Sequence, residues 1–208
     1  MRIVFLSDTH GVHWDIKVPD GDLLIHCGDI TEMGNPQQIR DFDKFLGEQP
    51  HRHKVIIAGN HDFLFEKRPA QARGLITNAI YLEDSGVEIE GIKIYGSPWQ
   101  PLFFNWAFNL HRGRDLAEKW KLIPKDTDVL VTHGPPSGIL DTTYDGQSVG
   151  CEELRERIRV IRPKIHAFGH IHEAYGVSQS EGTQFVNCSS SYGDNPPVVV
   201  DWPISADS

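Results

Sequence analysis

Short apolar runs, each halted by Gly, Asp, Asn or His, set the rhythm of this chain. They predict strands over 3–7, 23–27, 55–58, 87–90, 92–95, 129–132, 165–168, 184–187 and 198–201. Several of these runs carry no alternating polar position, the pattern expected when both faces of a sheet are covered. Helical spacing recurs between them. Ile39, Phe42, Phe45 and Leu46 share a face over 36–46, and Leu154, Ile158 and Ile161 share one over 150–161, where Pro163 stops the helix. A weaker helical pattern covers 113–122. The fold class is therefore α/β, with some strands consecutive in sequence: a two-layered β-sheet sandwich flanked by helices, in a single domain over 1–208. The stretch 97–114 has no clear periodicity and is rich in aromatics (Trp99, Phe103, Phe104, Trp106, Phe108), and long loops of that kind are often functional. The tail after Trp202 is expected to be loose.

Polar residues suited to metal binding sit at the carboxyl ends of five of these strands. They are Asp8-Thr9-His10, Gly28-Asp29, Gly59-Asn60-His61-Asp62, Thr132-His133-Gly134 and Gly169-His170-Ile171-His172. In open α/β sheets ligands bind beyond the carboxyl ends of the strands, so residues distant in sequence would converge there. Asp carboxylates, an Asn carbonyl and neutral imidazoles suit Mn, Fe, Zn or similar divalent ions. Strand alternation would aim Asp8 and His10 to one side, and His170 and His172 likewise. Glycines 28, 59, 134 and 169 would let the backbone turn beside a crowded centre. Any one of these motifs alone could be a turn or a surface histidine. Five in succession, each at a strand end, make that reading untenable.

Composition narrows the setting. Hydrophobic residues make up 39% and charged residues 24%, ordinary for a globular domain, and mean hydropathy is -0.36. No apolar run approaches a membrane span, and the opening residues do not read as a signal peptide. Three cysteines without a CxxC pair point to a reducing compartment, with the cytosol as the expectation. The formal net charge of -9 disfavours nucleic-acid backbones as partners. It is compatible with phosphate chemistry when carboxylates neutralise bound cations.

The order of the metal motifs resembles the calcineurin-like metallophosphoesterase superfamily. The segments Ile94-Tyr95-Gly96-Ser97-Pro98-Trp99, Val131-Thr132-His133-Gly134-Pro135-Pro136 and Gly169-His170-Ile171-His172-Glu173-Ala174-Tyr175-Gly176 are similar to its compact MPPED-type branch, related to class III cyclic nucleotide phosphodiesterases. The resemblance implies two divalent metal ions, Mn foremost, with Fe, Zn, Ni, Co or Mg as alternatives. Asp8, His10 and His172 would hold the first and Asn60, His133 and His170 the second, with Asp29 bridging. Some animal members lack the histidine matching His170, which this chain keeps. His61 would be the acid that protonates the leaving group, oriented by Asp62, while a bridging hydroxide attacks phosphorus in line.

Candidate substrate contacts are His13, one short turn past His10, the rings of Trp106 and Phe108, and Arg112. Asp141 either shapes the rim or serves a turn, and Asn187 is expected to support the site through hydrogen bonds. Cys27 reads as an inert buried thiol. The expected function is a phosphodiesterase for small diesters, cyclic nucleotides included. A phosphomonoesterase, a non-catalytic metal- or nucleotide-binding scaffold and a nuclease are the competing readings.

Overall fold

The structure is a computed structural model that describes residues 1–203; most of the tail beyond Trp202 lies outside the described residues. The amino-terminal half contains β1 (Arg2–Leu6), β2 (Leu23–His26), α1 (Pro36–Glu48), β3 (His53–Ile56), α2 (Phe63–Lys67), α3 (Pro69–Arg73), β4 (Ile80–Tyr81), β5 (Ser85–Ile89) and β6 (Ile92–Ser97). Then follow β7 (Gln100–Pro101), β8 (Asn109–Leu110), α4 (Arg114–Trp120), β9 (Val129–Thr132), α5 (Glu152–Ile161), β10 (Ile165–Phe168), β11 (Gly176–Ser180), β12 (Thr183–Asn187) and β13 (Val198–Asp201).

Two sheets stack face to face. One has the order β13-β1-β2-β3-β4, the other β11-β12-β10-β9-β6-β5. Neighbours run parallel except β13 on β1, β5 on β6 and β11 on β12. Alternation within each strand divides the apolar side chains between two faces. Ile3, Phe5, Leu23, Ile25 and Val55 meet Ile94, Val129, Val131, Ile165 and Val186 between the sheets. Val4, Leu24 and Ile56 face outward under Phe42, Phe45 and Leu46 of α1. Leu130, Phe168 and Phe185 face α4 and α5 through Trp120, Leu154 and Ile158. The sandwich flanked by helices is thus the architecture the hydrophobic pattern predicts. Among the described residues no helix is long and apolar enough to cross a membrane.

Helix ends follow local chemistry. Asn35 accepts a hydrogen bond from the Gln37 backbone N–H at 2.8 Å, and Pro36 opens α1. Cys151 Sγ accepts from the Leu154 N–H, and left-handed Arg162 ends α5 before Pro163. The short elements α2, α3, β4, β7, β8 and β11 are not legible as periodic runs. Five residues or fewer barely sample one period, and edge strands such as β11 bury little. Within 97–114, β7 and β8 pair with each other and give the aromatic loop a two-rung anchor.

His166 on β10 is fully buried between Phe168 and Phe185, 2.8 Å from Thr132 Oγ1. Burial pushes its pKa down to about 3, helped by the charge of Arg155. The unfolded imidazole takes its proton near pH 6.5, so the unfolded chain binds protons first as pH falls. The stability held above pH 6.5 is then lost at up to about 1.4 kcal/mol per pH unit. Urea midpoints at pH 7 and pH 5 should therefore differ less for His166→Gln than for the parent chain; identical differences would contradict this account.

Candidate metal centre

The sheets meet at the carboxyl ends of β1, β2 and β3 on one side and β9, β10 and β12 on the other. An isolated bridge between Ser7 and Ser189 joins them there. The loop after β1 is zipped to the loop after β2: Asp8 N–H donates to Gly28 O, and His10 N–H to Asp29 O, both at 3.0 Å. Strand alternation does not deliver the side chains, contrary to the sequence expectation. β1 ends at Leu6, and Asp8, His10, Asp29 and His170 all adopt left-handed backbone, with φ of 55, 44, 56 and 67°. Such conformations cost on the order of 1–3 kcal/mol each for a residue with a Cβ. They persist because the surrounding hydrogen bonds over-determine them. His170, for example, donates its N–H to both carboxylate oxygens of Asp8 at 3.1 and 3.0 Å.

These turns gather two groups of ligand-type atoms. Asp8, His10 and His172 form one and Asp29, His133 and His170 the other, with the atoms of each group within 4.8 Å of one another; a third set, His10, Glu32 and His61, meets the same distance but shares His10 with the first and includes an exposed carboxylate. The left-handed turn at His170 and the 3-10 turn from His172 send the two imidazoles to different groups. Asp29 Oδ2 lies 3.3 Å from His133 Nε2 and 3.7 Å from His10 Nε2, so one oxygen faces both groups. Asn60 Oδ1 is 2.8 Å from His133 Nε2, and His172 Nε2 is 3.4 Å from Asp8 Oδ1. The Nδ1 of His133 sits 2.9 Å from the Cys27 carbonyl. An N–H donated there leaves Nε2 free to act as a ligand, the usual way a second partner fixes the tautomer.

The electrostatics suit cations. Asp8 and Asp29 are buried, with exposures of 0% and 2%, and each faces histidines. Burial works to raise both pKa values, but the hydrogen bond of His172 and the charge of His133 hold Asp8 well below the carboxylate range. His133 likewise brings Asp29 to about 2. Reciprocally, His133 rises to about 10 against its own burial because Asp29 sits beside it, while burial and the His133 charge push His170 down to about 4. Both ring nitrogens of His10 are buried without a hydrogen-bond partner. Two buried carboxylates, an amide oxygen and imidazoles with unclaimed nitrogens fit divalent ions of the Mn, Fe or Zn type.

Two glycines are fixed by crowding. A Cβ at Gly59 would stand 2.3 Å from Asp29 Oδ1, and one at Gly169 would stand 2.1 Å from Asp8 Oδ2 and 2.2 Å from Ser7 Oγ. Gly134, expected to be constrained in the same way, meets only Gln100 Cβ at 3.6 Å and needs no such freedom. Gly169→Ala should displace Asp8 and weaken metal affinity by about 10–100-fold, as disturbing a ligand's support does. Calorimetric titration with Mn²⁺ checks this, and unchanged affinity would contradict it.

His61 stands beside the two groups. Its N–H donates to Asp29 Oδ1 at 2.8 Å, its ring stacks on Trp106 with centroids 4.1 Å apart, and it meets the edge of His10 at 4.6 Å. Asp62 does not orient this imidazole. Its carboxylate accepts the N–H groups of Ile30, Thr31 and Gly59 and the Thr31 hydroxyl, pinning the loops after β2 and β3 together. Burial and the charge of Asp29 raise its pKa to about 6. The partner of the His61 ring is instead the Glu32 carbonyl, 2.7 Å from Nδ1.

The other sequence candidates separate. His13 is fully buried, 3.0 Å from Asp41 and packed against Phe42 and Phe45, so it cannot reach a phosphate at the centre. Phe108 is a core residue packed edge-on against Trp99, and its N–H donates to Glu66. Arg112 binds the carbonyls of Val149 and Gly150 and pairs with Glu152, at the edge of a cleft that also touches His170. Asp141 serves its own loop by accepting from Gly138 and Gly150 N–H. Asn187 donates to Ile171 O at 2.8 Å, holding the segment between the two late histidines. Tyr192 escaped the sequence reading: it stacks on His10 at 4.5 Å from a turn after β12. Its only sequence cue is an aromatic among Ser and Gly at the sixth strand end to reach the site.

The family described as calcineurin-like phosphoesterase matches residues 1–174. Human metallophosphoesterase domain-containing protein 1 is 44% identical over 236 aligned residues, which take in 100% of this chain and 72% of that protein. UPF0046 protein T07D4.2 of Caenorhabditis elegans is 41% identical, over 98% of this chain and 60% of its own length. Among solved structures, phosphopantetheinyl hydrolase from Mycobacterium tuberculosis has a TM-score of 0.60 at 15% identity, covering 90% of this chain and 88% of that one. A novel archaeal phosphodiesterase has a TM-score of 0.51 at 18% identity, covering 97% and 94%. At such identities these two speak for the fold alone. With the family match over most of its length, the chain belongs to the calcineurin-like metallophosphoesterases, in the branch of metallophosphoesterase domain-containing protein 1, and is a phosphoric ester hydrolase that works with divalent metal ions.

Proposed function

We propose that the chain is a phosphodiesterase for small diesters, cyclic nucleotides among them. Asp8, His10 and His172 would hold one cation, Asn60, His133 and His170 a second, and Asp29 would be shared. The observation that carries the reading is the lining of the central pocket. It combines candidate ligands with His61, Phe103, Trp106 and Tyr192, and among the described residues no Lys or Arg lines it. A diester brings one negative charge to the cations, whereas a monoester dianion brings two and gains from an added cationic side chain. When bound, two divalent ions polarise phosphoryl oxygen and activate water.

The chain's own residues do the rest. Trp106 and Tyr192 hold His61 and His10 flat, and Asp29 fixes the loop of His61 through its N–H. With Nδ1–H given to Glu32, the imidazolium form of His61 offers its Nε2 proton to the departing ester oxygen. The test is reconstitution with Mn²⁺ followed by comparison of p-nitrophenyl phosphate, bis-p-nitrophenyl phosphate, and 2′,3′- and 3′,5′-cyclic nucleotides. Diesters should exceed the monoester in kcat/KM by roughly 10-fold or more, a preference of the size one charge contact confers. The reverse order would make the chain a phosphomonoesterase.

A further inference from the structure

A second cleft, with a volume of about 390 Å³, leaves the metal centre at His170 and Phe103, which line both. Its walls include Leu102, Pro135, Val149 and Ile171. We infer that this cleft is the subsite for the ester group that an acyclic diester retains, and that it takes an apolar group; a cyclic nucleotide, whose two ester oxygens share one ribose, brings no separate retained arm to it. The inference rests on the diesterase reading above.

Three observations carry it. The first is position. His61 lies on the Trp106 side of the central pocket, and the cleft opens on the His170 side. In hydrolysis the P–O bond to the leaving group breaks, its oxygen takes a proton from His61, and water adds the oxygen that remains on phosphorus. The other ester bond stays intact, so its substituent is free to occupy the cleft throughout.

The second is that the charged side chains lining the cleft already hold partners on its walls. Arg112 donates to the carbonyls of Gly150 and Val149, both at 2.8 Å, and pairs with Glu152; Glu173 accepts the Tyr144 N–H at 2.8 Å. A nucleobase edge or sugar hydroxyl entering here would lose water and gain few new hydrogen bonds, which is costly. An anionic arm would face the Glu173 carboxylate, while the Arg112 guanidinium on the same wall is offset by Glu152. The third is the lip. Leu102 and Phe103 are 52% and 49% exposed and adjoin Phe104 at 75%, held there by Asn109, which donates to the carbonyls of Phe103 and Phe104. Clustered exposed apolar side chains beside a site mark a surface that meets an apolar ligand.

The Mn²⁺-loaded protein should be assayed on p-nitrophenyl phosphodiesters that share the leaving group and differ in the retained arm: methyl, hexyl, phenyl and 5′-thymidyl. Binding of methyl phosphate and hexyl phosphate should be measured by calorimetry alongside. Hexyl is expected to exceed methyl by roughly 10-fold or more in kcat/KM, from methylenes leaving water, with hexyl phosphate also binding more tightly. Leu102→Ser/Val149→Ser should bring the hexyl-to-methyl ratio toward one, and because the ratio is internal, loss of folded protein cancels. Equal rates for methyl and hexyl in the parent chain, an unchanged ratio in the double variant, or a thymidyl arm outrunning hexyl would each overturn the assignment. If only a monoester is cleaved, the diesterase reading fails separately. The calorimetry then decides the cleft: tighter hexyl phosphate upholds an apolar subsite, and equal binding refutes it.

Discussion

Replacing Asp29 by Asn is expected to leave the fold in place and empty the metal centre. One carboxylate oxygen of Asp29 faces ligand groups on both sides, and the other accepts the His61 N–H. Asn keeps the acceptor for His61 and the side-chain shape, so the loop after β2 should hold. What it removes is the one negative charge that would face both cations. Disturbing residues that merely support a ligand costs about 10–100-fold in affinity, and loss of this shared ligand should exceed that. Metal analysis after dialysis should find well under two ions per chain, with a near-normal circular dichroism spectrum. Asp29→Ala should do the same and also orphan the His61 N–H. Full metal content in Asp29→Asn would show that another group bridges.

The second large effect is expected at His61. His61→Ala should keep its metals, because the groups Asp8, His10, His172 and Asp29, His133, His170 are complete without this imidazole, and its own set with His10 relies on the exposed Glu32. Its loss should fall on turnover, by ~10²–10⁴-fold, the usual range for a positioned acid. The leaving group makes the test specific. A nitrophenolate departs readily without a proton, whereas an alkoxide does not. The deficit should therefore be large on alkyl leaving groups and small on p-nitrophenyl esters. Equal losses on both would assign His61 to binding and not to proton transfer.

Much of this was legible in the sequence because strand ends are marked twice, by the end of an apolar run and by a polar residue that no strand interior would hold. That is why Asp8, Asp29, Asn60, His133 and His170 can be found from pattern alone. What pattern cannot supply is the partner of a side chain. Asp62 beside His61 suggests a pair, yet its oxygens go to backbone N–H groups of a loop about 30 residues earlier. His13 follows His10 closely, yet Asp41 on α1 draws it into the core. Trp106 and Phe108 are two residues apart in one loop, and only the first reaches the site, because the Ala107 N–H between them is tied to Asn60 O. The left-handed turns at Asp8, His10, Asp29 and His170 were equally hidden, since Asp and His are enriched in that conformation yet adopt it at only a small share of their positions.

The pairing of β1 with β13, from Arg2↔Asp201 onward, also bears on the order of events during synthesis. β1 keeps an open edge until β13 has been made. Asp8 must likewise wait for His170, 162 residues further along, before the loop it belongs to is braced. Neither sheet owns a full set of ligands, so a partly made chain can offer a cation only fragments of a site. The candidate ligand groups are thereby complete only once the two halves have closed.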